Sequence, residues 1–521
     1  VVGNQAGYNI NSGHELTIVG HQAGYNVTSA DNNVIMGFKA GYSLTTARYN
    51  VLIGDNAGYS LTTTSENNEN VMIGNSAGRF ADAATNAAHY NVYIGSGAGY
   101  YMDDGDSNVF IGREAGKGGG TGNNATQNVL IGYQSGFDIT TGDNNVLIGY
   151  QAGDNASTLG WSVGIGYQSL GGANSTLLTG ANASIAIGYQ AAGNASGNWG
   201  NGVYIGYLAG NHDISGGNTA IGYRAMEVAS GSNMTKNTAV GTQAMNNISY
   251  DNSNTNTAIG YHALKGGAVT SNVQYNVAIG STNLQSITGG TNNVAIGGNS
   301  VLSNLTTGGG NVAISRGAGQ NITTTSQCIL IGGDAGNTLD GTGPNGTIAI
   351  GHLALATHTT GARNIAIGWE AMHDTNAGST AQDSDDNTFI GYQAGGGTWA
   401  NVKSEKNIAI GNYTMDSALN GANNNVAIGW SALSAITEGD QNVVVGYQSG
   451  LSITTGIRNV GLGLTTLDAV TTGTRNVALG TNAGSSITTT SYNIFVGNDA
   501  GASATGTGAI GIGHDALKAN T

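Results

Sequence analysis

An all-β fold, a parallel β-solenoid or β-roll of about 29 short rungs, is predicted by three features of this sequence. A five-residue pattern, Asn-Val-x-Ile-Gly, returns from one end of the chain to the other. Glycine occurs 89 times and proline once in 521 residues. No stretch carries a helical apolar period over a useful length.

The repeat is explicit at Asn50-Val51-Leu52-Ile53-Gly54 and Asn70-Val71-Met72-Ile73-Gly74, and again at Asn128-Val129-Leu130-Ile131-Gly132 and Asn145-Val146-Leu147-Ile148-Gly149. It returns at Asn276-Val277-Ala278-Ile279-Gly280 and Asn425-Val426-Ala427-Ile428-Gly429. The commonest spacing is 17 residues, as between Gly132 and Gly149. Such a spacing suits a coil in which one turn alone buries too little to fold and neighbours must stack. After the motif glycine come a short segment such as Tyr133-Gln134-Ser135-Gly136 and a second β-type run such as Asp138-Ile139-Thr140-Thr141-Gly142. Each repeat therefore reads as strand, glycine corner, strand and glycine-rich return. Residues 1–521 form one continuous repeat domain on this reading. Because Val1-Val2-Gly3 looks like the second half of a motif, the chain also reads as a piece of a longer polypeptide.

Side chains alternate along a strand, so Val and Ile of the motif share one face and x takes the other. We expect Val51, Ile53, Val129, Ile131, Val146, Ile148, Val277, Ile279, Val426 and Ile428 to form the core of the chain. Asn50, Asn70, Asn128, Asn145, Asn276 and Asn425 fall at one place in successive rungs, where stacked amides make a hydrogen-bonded ladder. Position x is apolar too, as at Ala278, Leu147, Tyr93 and Phe389. A strand facing water on one side alternates apolar with polar. We therefore expect x to pack against another copy of the chain around a threefold axis; the alternative is that x lies beneath the chain's own return loop.

Composition narrows the function. Only 9% of residues are charged and 39% are hydrophobic, which excludes a disordered chain. A net charge of −15 argues against nucleic acid and against anionic membrane surfaces. No apolar run reaches membrane-spanning length, so no membrane insertion is expected. The lone cysteine, Cys328, allows no intrachain disulfide. His262, His352 and His514 are far apart in the repeat, with no metal-ligand spacing and no nucleophile motif nearby. We expect no catalytic residues, no cofactor and no bound metal. Asp103-Asp104-Gly105-Asp106 and Asp383-Ser384-Asp385-Asp386 lack the calcium-loop glutamate and read as solvated loops.

Tyr133, Tyr150, Tyr167, Tyr189, Tyr207, Tyr223, Tyr261, Tyr392 and Tyr447, with Trp369 and Trp430, follow motif glycines directly. They read as a corner ladder of stacked rings in preference to a sugar track. Trp161, Trp199 and Trp399 lie off this register, in what read as longer insertions. They are the candidate surface or glycan contacts.

The string Asn144-Asn145-Val146-Leu147-Ile148-Gly149-Tyr150-Gln151-Ala152-Gly153 resembles the tail-fibre repeats of bacteriophages, which are related to the head repeats of YadA-like trimeric autotransporter adhesins. The resemblance covers essentially the whole chain. It implies a left-handed homotrimeric β-roll that serves as a structural and adhesive fibre on a virion, or alternatively as a bacterial surface adhesin head. The implied partners are two further copies of the chain and a host cell-surface glycan or protein receptor. The chain departs from the adhesin pattern in its longer repeat. Among degenerate rungs, Ser315 replaces the motif glycine, Cys328 the motif asparagine, and Gly164 and Gly461 occupy x.

Overall fold

The computed structural model describes Val1–Lys518 apart from 63–68, 82–87, 121, 172–182, 194–199, 213–215, 228–233, 249–252, 268, 340–342 and 376–382. The chain divides into two compact units, Val1–Tyr261 and His262–Thr521. Each is a parallel β-solenoid, with about 26 turns in all and no α-helix among the described residues. The first unit runs from the strand Thr17–Val19 to Thr257–Ile259, and the second from Val277–Ser281 to Ile510–Ile512. The first motif copy, at Val1-Val2-Gly3, adds only an isolated bridge from Val2 to Val19.

Only the motif itself is strand. Within each unit every strand pairs in parallel with the next, in register, as in Val129↔Val146, Leu130↔Leu147 and Ile131↔Ile148. The second run, expected as a strand, is turn and bend. It still stacks from rung to rung. Asp138 N–H donates to Asp154 O at 3.0 Å, and Thr140 N–H donates to Ser157 O at 2.9 Å. Hydroxyls reinforce the return: Thr437 Oγ1 donates to Thr454 O at 3.3 Å, and Thr454 Oγ1 to Thr471 O at 3.2 Å. Backbone satisfaction, which a strand would supply by extension, comes here from stacking of a curved chain.

The motif glycine is required by geometry. Gly149 has φ +143°, and a Cβ there would lie 2.3 Å from the carbonyl oxygen of Gly166 in the next rung. Ser315 is the informative exception. It holds φ +94° at the glycine position, and the two strands before it, Val277–Ser281 and Val294–Asn299, run longer with a register shift between Ile279 and Ser281. The rung after Ser315, which its Cβ faces, keeps register from Val312↔Ile329 to Ile314↔Ile331, so a side chain at this corner goes with a smaller φ than the motif glycines of positive φ hold.

The facing of the strand is the reverse of the sequence expectation. The middle residue, x, is buried in every strand, while its two neighbours are half-buried or exposed. Val51, Ile53, Val129, Ile131, Val146, Ile148, Val277, Ile279 and Val426 are therefore partly solvent-facing, and Ile428 is 36% exposed. The core is built from x, from the alanine or serine three residues after the motif glycine, and from the aliphatic residue seven after it. Leu130, Ser135 and Ile139 are one such set, each 0% exposed.

Volume compensation explains why x belongs inside. Where x is large, the fourth residue after the motif glycine is glycine: Tyr93 with Gly99, Phe110 with Gly116, Tyr204 with Gly210, Phe389 with Gly395, Phe495 with Gly501. A Cβ at Gly116 would sit 2.4 Å from Phe110 Cε2, and one at Gly210 would sit 2.0 Å from Tyr204 Cδ1. Where x is Ala or Gly, the fourth residue is often Leu or Met: Gly164 with Leu170, Ala220 with Met226, Ala427 with Leu433, Gly461 with Leu467. All four of these large side chains are buried. The two positions share one volume at interior packing density, so x and its compensator lie within one turn of one chain.

Candidate functional site

The expected asparagine ladder residues are all fully buried. Each carboxamide oxygen accepts the backbone N–H that starts the next rung: Asn50 from Asn70 at 3.1 Å, Asn70 from Asn91 at 2.9 Å, Asn128 from Asn145 at 3.0 Å. Asn145 accepts from Ser162 at 3.0 Å, Asn276 from Asn293 at 2.9 Å, and Asn425 from Asn442 at 2.9 Å. The amide nitrogen reaches across the coil. Asn128 donates to Gly142 O at 2.8 Å, and Asn425 to Gly439 O at 2.8 Å, tying the start of a turn to its end. Cys328 substitutes in this column: its N–H donates to Asn311 Oδ1 at 3.0 Å, and its thiol to Pro344 O at 3.2 Å. Burial raises the thiol pKa to about 11, so the group is a packed donor without nucleophilic character near neutrality.

The outward face of each unit carries an apolar residue at the third strand position of every rung, with Val or Ile beside it at the first position except at Thr17, Thr219, Thr238, Thr257 and Thr388. In the first unit Ile165, Ile187 and Ile221 are exposed on it; in the second, Ile408, Ile410 and Ile428. Monomeric proteins seldom leave such a continuous apolar stripe uncovered.

Beside the stripe the corner residues stack. Tyr133, Tyr150, Tyr167, Tyr189, Tyr207 and Tyr223 form an unbroken column with ring centroids 5.0–5.2 Å apart. Trp430 stacks on Tyr447 at 5.1 Å, and Trp369 on His352 at 4.3 Å. Tyr392 meets Tyr413 edge-on. Tyr261 is exposed at the end of the first unit. A second column escaped the sequence reading. Tyr8, Tyr25, Tyr42 and Tyr59, each the fifth residue after a motif glycine, stack at 5.1–5.2 Å. Their 17-residue spacing was the available signal.

The three off-register tryptophans separate. Trp161 is 69% exposed, but it sits in an ordinary 17-residue rung between Val146 and Val163, not in an insertion. Trp399 is no surface contact. It is fully buried, packs its ring 5.7 Å from that of Phe389, and donates its indole N–H to Gly395 O at 3.0 Å. Trp199 lies outside the described residues.

The acidic clusters are structural to a degree the sequence did not suggest. The aspartate two residues before a motif asparagine accepts a backbone N–H from the preceding rung. Asp106 accepts from His89 at 2.7 Å, Asp143 from Thr126 at 2.6 Å, Asp385 from Ala362 at 2.6 Å and Asp440 from Asn423 at 2.7 Å. Asp103 is buried and not solvated, and desolvation raises its pKa. Asp499, His514 and Asp515 bring their ligand atoms within 4.8 Å of one another. They lie mostly in solvent, and Lys518 pairs with both carboxylates.

His358 is the buried titratable group the sequence reading passed over. It occupies the core column seven residues after Gly351, fully buried. Its ring nitrogens lie 3.1 Å from Thr375 Oγ1, 3.2 Å from Gly361 O and 3.1 Å from Asn364 Nδ2. Burial lowers its pKa from 6.5 to about 4. The unfolded chain therefore binds this proton more readily, so the contribution is complete above pH 6.5 and is lost as pH falls through about 4. The shift corresponds to about 3 kcal/mol. Urea midpoints of the native chain should drop more steeply between pH 7 and pH 4 than those of His358→Leu, and equal slopes would contradict the assignment.

No family model matches this chain. No curated protein matches it either. Fold and surface define its class: a long parallel β-solenoid repeat protein. Among the described residues no helix is long and apolar enough to cross a membrane.

Proposed function

We propose that this chain is the shaft of an extracellular attachment fibre, in the first place a viral tail fibre of the bacteriophage type, assembled as a homotrimer and presenting its flanks to a host-surface glycan or protein. The observation that carries the reading is the outward column of Ile, Val, Leu or Met at the third strand position of every rung in each unit, joined by Val or Ile at the first position except where Thr17, Thr219, Thr238, Thr257 and Thr388 stand there. Covering the exposed third of one such Ile contributes roughly 0.5–1 kcal/mol, repeated at every rung. A partner able to cover the stripe along its length needs apolar groups at the same rung period, and another copy of this chain has them. The likeness to phage fibre repeats supplies the number three. The head of a bacterial trimeric surface adhesin is the alternative setting for the same assembly.

Light scattering on the purified chain tests the assembly. A mass of three chains is expected, and a monomer at micromolar concentration would overturn the reading.

A further inference from the structure

In the first unit the corner columns are interrupted at the rungs built on Val71–Ile73 and Val92–Ile94, while Glu114 of the next rung still accepts the Gln134 amide at 2.9 Å. Elsewhere the two residues after the motif glycine are commonly Tyr and Gln, and the Gln amides form their own ladder, with Gln151 Nε2 donating to Gln134 Oε1 at 2.9 Å. Here they are Asn75-Ser76 and Ser96-Gly97. The lost side-chain volume leaves a cavity of about 300 Å³, bordered by Arg79, Tyr100, Tyr101, Arg113, Glu114 and Lys117. That size is at the lower end for small-molecule sites.

The charge of the cavity opposes that of the chain. Three cations and one carboxylate line it, in a protein with 15 Lys and Arg against 30 Asp and Glu. Lys117 pairs with Glu114 at 3.1 Å. Neither arginine pairs with a carboxylate among the described residues. Arg79 is held by rings, its guanidinium 5.8 Å from the centroids of both Tyr59 and Tyr100 and 5.3 Å from that of Phe80. Its Nε is buried with no hydrogen-bond partner among the described residues. Arg113 lies over Tyr133 at 5.8 Å. Rings within 6 Å flank both guanidinium groups and no carboxylate among the described residues is ion-paired with either, which leaves their positive charge available to an oxyanion.

We infer that this cavity binds the acidic residue of a saccharide: a carboxylate, sulfate or phosphate on the sugar takes the Arg79 and Arg113 donors, and the sugar ring lies against Tyr100 and Tyr101. The inference rests on the attachment reading for its use, since it names the chemistry of the surface ligand. The cavity itself lies within one chain and needs no second copy.

The test is calorimetric titration of the full chain with sialylated, sulfated and uronic-acid trisaccharides, with neutral lactose and inorganic phosphate as controls. At least one acidic saccharide should bind ten times more tightly than lactose and than phosphate. Arg79→Gln and Arg113→Gln should each weaken that binding at least tenfold, with the circular dichroism spectrum unchanged. Ser96→Tyr, which restores the corner residue of other rungs and keeps both arginines, should block the cavity. Acidic saccharides binding no better than lactose, or binding that survives all three substitutions, would overturn the inference. Phosphate binding as well as the best saccharide would overturn its sugar half. Molar mass measured on the same samples keeps the two readings apart: a trimer that binds no acidic sugar sinks only the cavity, and a monomer that binds one sinks only the assembly.

Discussion

Phe110→Ala should destabilise the first unit by about 3–5 kcal/mol, the cost of emptying a fully buried aromatic site. Phe110 is the x residue of its strand and stacks on Tyr93 at 4.9 Å. The compensation between x and the fourth residue after the motif glycine makes a sharper form of the prediction. Gly116→Leu alone should destabilise, because its new Cβ would meet Phe110 Cε2 at 2.4 Å. Combined with Phe110→Ala it should restore much of the loss, since the double variant recreates the pairing seen at Ala427 and Leu433. Gly116 already has φ +55°, close to the +50° that Leu433 adopts. Urea unfolding of the four proteins gives the coupling directly. Additive losses in the double variant would mean that the two residues do not share a volume.

Gly149→Val should cost roughly 3 kcal/mol or more and open the neighbouring rungs to protease. Two penalties combine. Valine disfavours φ +143°, and its Cβ would press on the Gly166 carbonyl 2.3 Å away. Ser315 shows the relief open to a non-glycine residue here, a φ of +94°, and Val is less able than Ser to adopt it. Cleavage near residues 132–149 in the variant and not in the parent is the expected readout. An unchanged urea midpoint would show that the glycine column is dispensable.

Much of the solenoid is legible in the sequence because it rests on recurrence. The 17-residue period, the corner glycines and the asparagine column each have one residue type for one geometric reason. Which face of the strand turns inward was not legible from alternation, because Val, x and Ile are all apolar and a period of two carries no sign when both faces are greasy. A second, longer-range signal did carry the sign. Glycine four residues after the corner accompanies Tyr93, Phe110, Tyr204 and Phe389, and Leu or Met often accompanies Gly164, Ala220 and Ala427. Trp399 lies off the repeat register, which predicts a surface position, whereas it is buried against Phe389 because an off-register side chain can still turn into the core. The cavity beside Arg79 was hidden for a different reason. It arises from small residues on adjacent turns, which no single segment of sequence displays.

Oxidative cross-linking tests most directly the claim that x faces the chain's own core while the motif Ile faces another copy. In a Cys328→Ser background, a change matched by Ser162 and Ser184 in the same column, Ala427→Cys and Ile428→Cys are compared. Ala427 is fully buried and Ile428 is 36% exposed. The account predicts chain-to-chain disulfides from Ile428→Cys under mild oxidation, and a thiol in Ala427→Cys that stays unreactive until the protein unfolds. Cross-links from Ala427→Cys with none from Ile428→Cys would contradict it.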